Sequence, residues 1–289
     1  MKRMILIISA AIVLCAGAKE LALPTVPASL RVPSMRADYI ATHFWDSIDW
    51  SDTMAVDPMQ VSQNVANYLS VFPVMSGDSA RAAAADTFLT RALRAGDSRA
   101  LAASQAIEDC LFGSGSPQRN EQLYTIFLQR MLAAGFPDSI RTEYMLEMTR
   151  KNMPGTQAAD FEFVTRDGKA YSLLQFVDKP TIVFFYDPDC HNCHALAGAM
   201  ADDPVLKSKL IGGFIKILAI SPGDKEQWQE HGAWLPSQWT DGCDNGVIDE
   251  KELYSFGSYP SLYLIGKDGK VILKDCSPDE LIRTTSTLR

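Results

Sequence analysis

The sequence predicts two architectures in series: an all-α helical bundle, then an α/β domain whose central mixed sheet is flanked by helices. Three observations predict this. From residue 37 to about residue 152, apolar residues recur three and four apart, the period of helices buried on one face. From Phe161 onward the pattern becomes short alternating or continuous apolar runs, broken by turn signals and helical stretches. Between the two lies Met153-Pro154-Gly155-Thr156-Gln157, whose proline and glycine interrupt either pattern.

The elements follow in chain order. Residues 1–18 read as an export signal: Lys2 and Arg3, an apolar run from Met4 to Leu14 too short to span a bilayer, then Ala16-Gly17-Ala18 as a small-x-small cleavage site. Lipid anchoring at Cys15 is the lesser alternative, because Leu14 stands where a lipoprotein signal carries a small residue. Residues 19–36, with Pro24, Pro27 and Pro33, read as an extended arm. The helical domain is expected over 37–154 and the α/β domain over 155–289.

Within the helical domain, Asp57-Pro58 reads as a helix start, followed by Val61, Val65, Tyr68, Leu69 and Phe72 at helical spacing. Asp78 to Ala95 is a second helix, stopped by Gly96. Ser98 to Phe112 is a third, expected to bury Leu101, Ile107 and Leu111. Leu123, Ile126, Phe127 and Met131 form a fourth stripe closed by Gly135. Pro137-Asp138 opens a fifth with Ile140, Tyr144, Met145 and Met148. The aromatic-rich stretch of His43, Phe44, Trp45 and Trp50 is expected to be core. No fixed-period repeat occurs, so a bundle of five or six helices is expected rather than a solenoid.

In the second half, Phe161-Glu162-Phe163-Val164 alternates like a strand, and Asp167-Gly168 turns it back into Ala170-Tyr171-Ser172. Leu173 to Val177 is a short helix. Thr181 to Tyr186 is a continuous apolar run, as in a strand covered on both faces. A helix from Cys190 to about Leu210 follows, interrupted near Asp203-Pro204. Phe214 to Ile220 is a strand, Asp224 to Ala233 a helix, Pro236 to Gly246 irregular, and Asp249 to Phe256 a short helix. Ser261 to Ile265 and Val271 to Leu273 form a hairpin around Asp268-Gly269, and Pro278 to Leu288 a closing helix.

The composition bounds the partners and the chemistry. The chain has 289 residues, 47% hydrophobic, with net charge −8, which argues against nucleic acid as a partner. Six cysteines, five after cleavage at Ala18, are too few to staple a chain of this length. The one close pair, Cys190 and Cys193, therefore reads as chemical rather than structural. Two thiols one helical turn apart can close a disulfide with little backbone movement, and a helix N-terminus favours thiolate over thiol.

Residues 158–289 resemble the exported thioredoxin-like thiol–disulfide oxidoreductases. The residues that carry the resemblance are Phe161-Glu162-Phe163 with its Asp-Gly turn, the strand ending at Tyr186, Cys190-His191-Asn192-Cys193 opening a helix, Tyr259-Pro260 before a strand, and Lys267-Asp268-Gly269-Lys270. The resemblance implies Cys190 as attacking thiol and Cys193 as resolving thiol. It also implies a cis Pro260 that sets the Tyr259 backbone beside Cys190 to pair with an extended substrate. Asp187 and Asp189 oppose thiolate formation, and His191 and His194 favour it when protonated. The chain departs from the family in two places. Phe184 stands where thioredoxins bury an acid, and Ala197-Gly198 where a proline follows the second cysteine. Proton transfer from Cys193 is then expected to use water, His194 or Glu162.

Other readings of the same residues are weaker. Cys190 to His194 also spells a c-type haem attachment motif, but on a strand-to-helix turn rather than in a helical haem pocket. Cys190, Cys193, His194 and Cys243 could hold zinc, yet no second pair stands at finger spacing. The Asp241 to Glu252 stretch nearly spells a calcium loop, with Cys243 where an oxygen belongs. No cofactor and no metal are expected. Cys110 reads as core packing, His231 as solvated, and the pairing of Cys243 and Cys276 stays open. The expected activity is exchange on protein disulfides, as a reductant recharged by a membrane electron donor or other redox partner, in the periplasm or another extracytoplasmic space. The alternative is a binding or scaffold protein whose helical domain docks a cell-envelope partner.

Overall fold

The computed structural model describes residues 23–48, 50, 58–113, 115–231 and 234–288. The residues read as an export signal, Cys15, Asp57 and the side chain of Val61 lie outside the described residues. The chain packs as two compact units, residues 1–106 and 107–289. Among the described residues no helix is long and apolar enough to cross a membrane.

The first unit holds α1 (Pro33–His43), α2 (Pro58–Leu69), a 3-10 turn at Phe72–Val74, α3 (Asp78–Arg94) and the start of α4 (Asp97–Leu111), within which the division falls. Pro33 opens α1 at a position that needs no N–H, so the helix begins inside the stretch expected to be an extended arm. Ala84, Ala85 and Ala92 of α3 are buried beside Phe88 and Leu89. The aromatic stretch is core: Trp45 packs against Phe88 at 4.7 Å and Tyr68 at 5.5 Å between ring centres. Leu101, expected to be buried, is 42% exposed, whereas Ile107 and Leu111 are buried.

The second unit begins with the end of α4, then α5 (Glu121–Ala133) and α6 (Ser139–Arg150). Asn120 caps α5 by accepting from the Leu123 amide at 2.9 Å, and Asp138 caps α6 by accepting from Arg141 at 3.2 Å. Leu123, Phe127, Met131 and Met145 are buried, as their spacing predicts. Ile140 and Tyr144 are not: they lie 82% and 44% exposed, and the Tyr144 hydroxyl donates to Glu252 at 2.7 Å.

The same unit contains one seven-stranded sheet: β1 (Glu162–Thr165), β2 (Ala170–Ser172), β3 (Thr181–Phe185), β4 (Lys216–Ser221), β5 (Thr240–Cys243), β6 (Ser261–Ile265) and β7 (Val271–Leu273). The order is β2-β1-β5-β4-β3-β6-β7, with β3, β4 and β5 parallel and the other pairings antiparallel. Central β3 explains its own apolar run. Ile182 and Phe184 face one core with Cys193, Met200 and Leu281, and Val183 and Phe185 face a second core with Phe161, Tyr254 and Tyr263.

The remaining helices are α7 (Leu173–Phe176), α8 (His191–Asp202), α9 (Pro204–Ile211), α10 (Lys225–Glu230), α11 (Val247–Glu250) and α12 (Pro278–Thr287). Asp203 separates α8 from α9 and caps the latter, accepting from the Val205 and Leu206 amides. Two expectations are corrected. The stretch expected to be irregular before Gly246 contains β5, hidden because Thr-Asp-Gly-Cys has no apolar alternation. Its Gly242 is needed there, since a Cβ would lie 2.7 Å from the Phe163 ring. The helix expected to reach Phe256 stops at Glu250, and Glu252 turns the chain with φ 47°.

Candidate active site

Strand β3 delivers the chain through Tyr186 into the turn 187–189 and then α8. Asp187 shapes that turn: its carboxylate accepts from the Asp189 amide at 2.8 Å, and its carbonyl from the Cys190 amide at 3.1 Å. Cys190 is the N-cap of α8, and its sulfur accepts from the Cys193 amide at 3.2 Å. That amide, which also donates to the Cys190 carbonyl at 3.0 Å, turns a helix-terminal donor toward the outer sulfur. Cys190 is half-buried and its thiol donates to the Tyr259 carbonyl at 3.7 Å. The Tyr259–Pro260 peptide is cis.

Cys193 is buried on the inner side. Burial pushes its thiol well above the usual range, and the Cys190 sulfur and the Asp187 carboxylate add to this, against the Asp187 amide that faces the sulfur. The Tyr259 phenol is likewise raised, first by burial and then by Asp249, Asp244 and Asp187. Burial and the nearby Asp244 raise the Asp249 carboxyl.

The sequence-expected site residues divide by position. Cys190, Cys193, Asp187, Tyr259 and Pro260 come together. Asp189 points outward to His231, Oδ1 to Nε2 at 2.7 Å, so His231 is half of an ion pair when protonated rather than merely solvated. The His194 ring stacks on Trp234 at 3.6 Å, with Nε2 3.1 Å from the Pro188 carbonyl. His191 is exposed on the first turn of α8. Glu162, the other side chain considered for the Cys193 proton, is exposed on β1, paired across the ladder with Ser172. Phe184, at the position of the absent acid, is fully buried against Trp239 at 5.5 Å.

A buried network behind the turn escaped the sequence reading. The Tyr186 hydroxyl donates to Asp241 at 2.7 Å, and Trp228 Nε1 donates to the same carboxylate oxygen at 3.0 Å. Arg166 closes it, donating to the other Asp241 oxygen at 2.5 Å while its guanidinium lies 4.3 Å from the Trp228 ring. The one available signal was the three tryptophans at 228, 234 and 239, too dense for a solvated loop.

The acidic stretch 241–252 spends two of its carboxylates on protein contacts. Asp241 is occupied by that network, and Asp244 accepts from the Gly223, Gly246 and Ile248 amides at 3.0, 3.1 and 2.6 Å. Cys243 is a buried strand residue whose thiol donates to the Gly223 carbonyl at 3.5 Å. Cys110, Cys243 and Cys276 are all free thiols, and burial pushes Cys276 to about 12. No cluster of three metal-ligating side chains occurs among the described residues.

Residues 8–152 match the family model described as Domain of unknown function (DUF5106), and residues 154–274 match the AhpC/TSA family. A thioredoxin-like protein from Bacteroides caccae, known as a crystal structure, is similar over 92% of this chain and 98% of its own, at 26% identity and a TM-score of 0.81. A conserved protein of unknown function from Bacteroides fragilis is 34% identical over 45% of this chain and 97% of its own, with a TM-score of 0.43. The thioredoxin domain of a thiol–disulfide oxidoreductase from Bacteroides vulgatus is 21% identical over 45% of this chain and 94% of its own, with a TM-score of 0.39. No curated protein matches the chain. The helices of the first half and the strand–cysteine pair–helix unit of the second now have a family: the chain belongs to that of the Domain of unknown function (DUF5106), joined here to an AhpC/TSA-family domain of thioredoxin fold.

Proposed function

We propose that this chain exchanges thiols for disulfides on protein substrates through Cys190 and Cys193, acting as a reductant outside the cytoplasm. The observation that carries the reading is the half-buried Cys190 sulfur, which takes the Cys193 amide on one side and lies 3.7 Å from the Tyr259 carbonyl on the other. An extended segment hydrogen-bonding to the backbone at Tyr259 would bring its disulfide onto that sulfur. Trp234, stacked on His194, and Phe256, 5.5 Å from the Tyr259 ring, are both half-buried and suit a substrate with apolar side chains beside the disulfide.

The chemistry runs in two displacements. The Cys190 thiolate attacks one sulfur of the substrate disulfide, forms a mixed disulfide, and releases the other sulfur, which takes a proton. Cys193 then loses its proton and attacks the Cys190 sulfur. A Cys190–Cys193 disulfide forms and the second substrate thiol leaves. Substrate gains two electrons and the pair loses two, so turnover requires a dithiol donor or a membrane electron relay. Reduction is the direction proposed, and the redox equilibrium of the pair is what decides it.

The test is reduction of insulin with dithiothreitol as donor, together with the redox equilibrium of the pair. The wild-type chain is expected to turn over insulin, and its potential to lie nearer about −270 mV than about −120 mV. Cys190→Ser is expected to abolish turnover, and Cys193→Ser to accumulate a Cys190-linked adduct that dithiothreitol releases. No turnover together with no adduct would leave the pair as a relic on a scaffold that only binds.

A further inference from the structure

Phe112, Arg119 and Glu121, at the junction of α4 and α5, form a cluster that reaches the segment carrying Tyr259 and Pro260. Arg119 stands at the centre of that contact with only 16% of its side chain exposed. Its guanidinium donates to Asp275 at 2.9 Å, to Glu121 at 2.5 Å, and to the Phe112 carbonyl, and it lies 4.7 Å from the Phe112 ring. Lys274, 5% exposed, completes the set by pairing with Glu121 at 2.6 Å. Two cations and two carboxylates are thus buried together, each with an opposite partner.

Two links lead from Arg119 to the cis peptide. The first is Asp275, whose other oxygen accepts from the Ser261 hydroxyl at 2.7 Å, and Ser261 is the residue after Pro260. The second is buried Gly257, two residues before Tyr259. A Cβ there would lie 2.3 Å from Arg119 Nε and 2.4 Å from Cζ, so the guanidinium rests directly on the backbone. Arg119 therefore touches the substrate-facing loop from both ends, at 257 and, through Asp275, at 261. A planar fork held by two carboxylates and a carbonyl has little freedom to move.

We propose that Arg119 is a positioning residue for the Tyr259–Pro260 loop, setting how well an extended protein disulfide pairs beside Cys190. The inference rests on the thiol–disulfide reading above. A small disulfide that needs no backbone pairing should be indifferent to Arg119, whereas a protein disulfide should not.

The experiment uses the full chain and two oxidants: insulin, and 5,5′-dithiobis(2-nitrobenzoate) as the small disulfide. For Arg119→Met, KM for insulin is expected to rise about tenfold with kcat within about twofold, as one or two misaligned backbone hydrogen bonds would cause. Arg119→Lys should recover part of the loss, because it keeps the charge without the fork. Gly257→Ala, which strikes the same contact from the other side, should raise KM in the same way and serves if Arg119→Met does not fold. The rate with the small disulfide should stay at the wild-type value throughout. Unchanged KM in both folded variants overturns the proposal, as does an equal loss with both oxidants. A wild-type chain that reduces neither disulfide overturns the parent reading, and this inference with it.

Discussion

Asp187 has two opposed effects on the cysteine pair. Its carboxylate organises the turn by accepting from the Asp189 amide, and its charge is one of the causes that hold the Cys193 thiol above the usual range. Asn in its place keeps an acceptor for the Asp189 amide and removes the charge. Because burial is the larger cause, the Cys193 thiol should stay raised but by less. The sign is then fixed: at a given pH more of Cys193 is thiolate, and the mixed disulfide should resolve faster in Asp187→Asn, by roughly two- to fivefold. In both proteins resolution should quicken as pH rises, since a raised thiol pKa means the reactive form gains population upward through the alkaline range. Adduct lifetime by acid quench and mass analysis reads this directly. A slower Asp187→Asn would instead mark the carboxylate as the group that takes the proton. The closeness of Cys190 and Cys193 followed from their spacing in the chain, and a cis Tyr259–Pro260 peptide beside Cys190 was expected from the resemblance. Arg119 and Asp241 were not legible, because each takes part of its setting from residues distant in the chain: Arg119 from Asp275, 156 residues away, and Asp241 from Tyr186 and Arg166, 55 and 75 residues away.

Most elements were legible, and the exceptions share a cause. β3, β4 and β6 announce themselves by apolar runs, and the α8–α9 break by Asp203-Pro204. β5 has no such pattern: its Gly242 makes room for Phe163, and its Asp241 faces a polar network instead of the apolar core. The misjudged helix faces of Leu101, Ile140 and Tyr144 are the converse, apolar residues at the right period on the solvent side, which periodicity alone cannot separate from core. β5 nevertheless ties strand β3, α10 and Arg166 together through one carboxylate. The Asp241 side chain is only 10% exposed, so removing it takes the acceptor from the Tyr186 hydroxyl and the carboxylate from Arg166, while Trp228 Nε1 keeps only the Tyr186 oxygen at 3.1 Å. Asp241→Ala should cost about 3 kcal/mol. Asp241→Asn, which keeps the oxygen that Tyr186 and Trp228 share, should cost roughly half as much. Urea unfolding followed by tryptophan fluorescence checks both, with an unchanged slope expected if only the native state is affected. Equal costs for the two variants would locate the stability in the Arg166 pair alone.

At the scale of the whole chain, we propose that the chemical module starts near residue 155 while its packing unit starts near residue 107. The contacts that join 107–152 to the later residues are polar and specific. Besides Arg119–Asp275 and Lys274–Glu121, Lys274 donates to the Thr149 carbonyl at 3.1 Å and Asn152 to the Leu253 carbonyl at 2.9 Å. Asn152 also accepts from the Ala159 amide at 2.8 Å, closing the join at the connection itself. A chain cut to 155–289 leaves these partners solvated rather than orphaned, so it should still fold, because both cores of the sheet are complete within it. It should lose the burial and the fixed loop. Compared with 107–289, the shorter piece is expected to melt about 5–10 °C lower, the equivalent of about 2 kcal/mol in a domain of this size. It should react with a small disulfide at the same rate and reduce insulin with a higher KM. Calorimetry and the two-oxidant assay on both pieces separate these effects. Equal melting and equal KM would make α5 and α6 passengers on the redox domain. A lower melting point with an unchanged KM would make them braces of the fold, with no say in how substrate is taken.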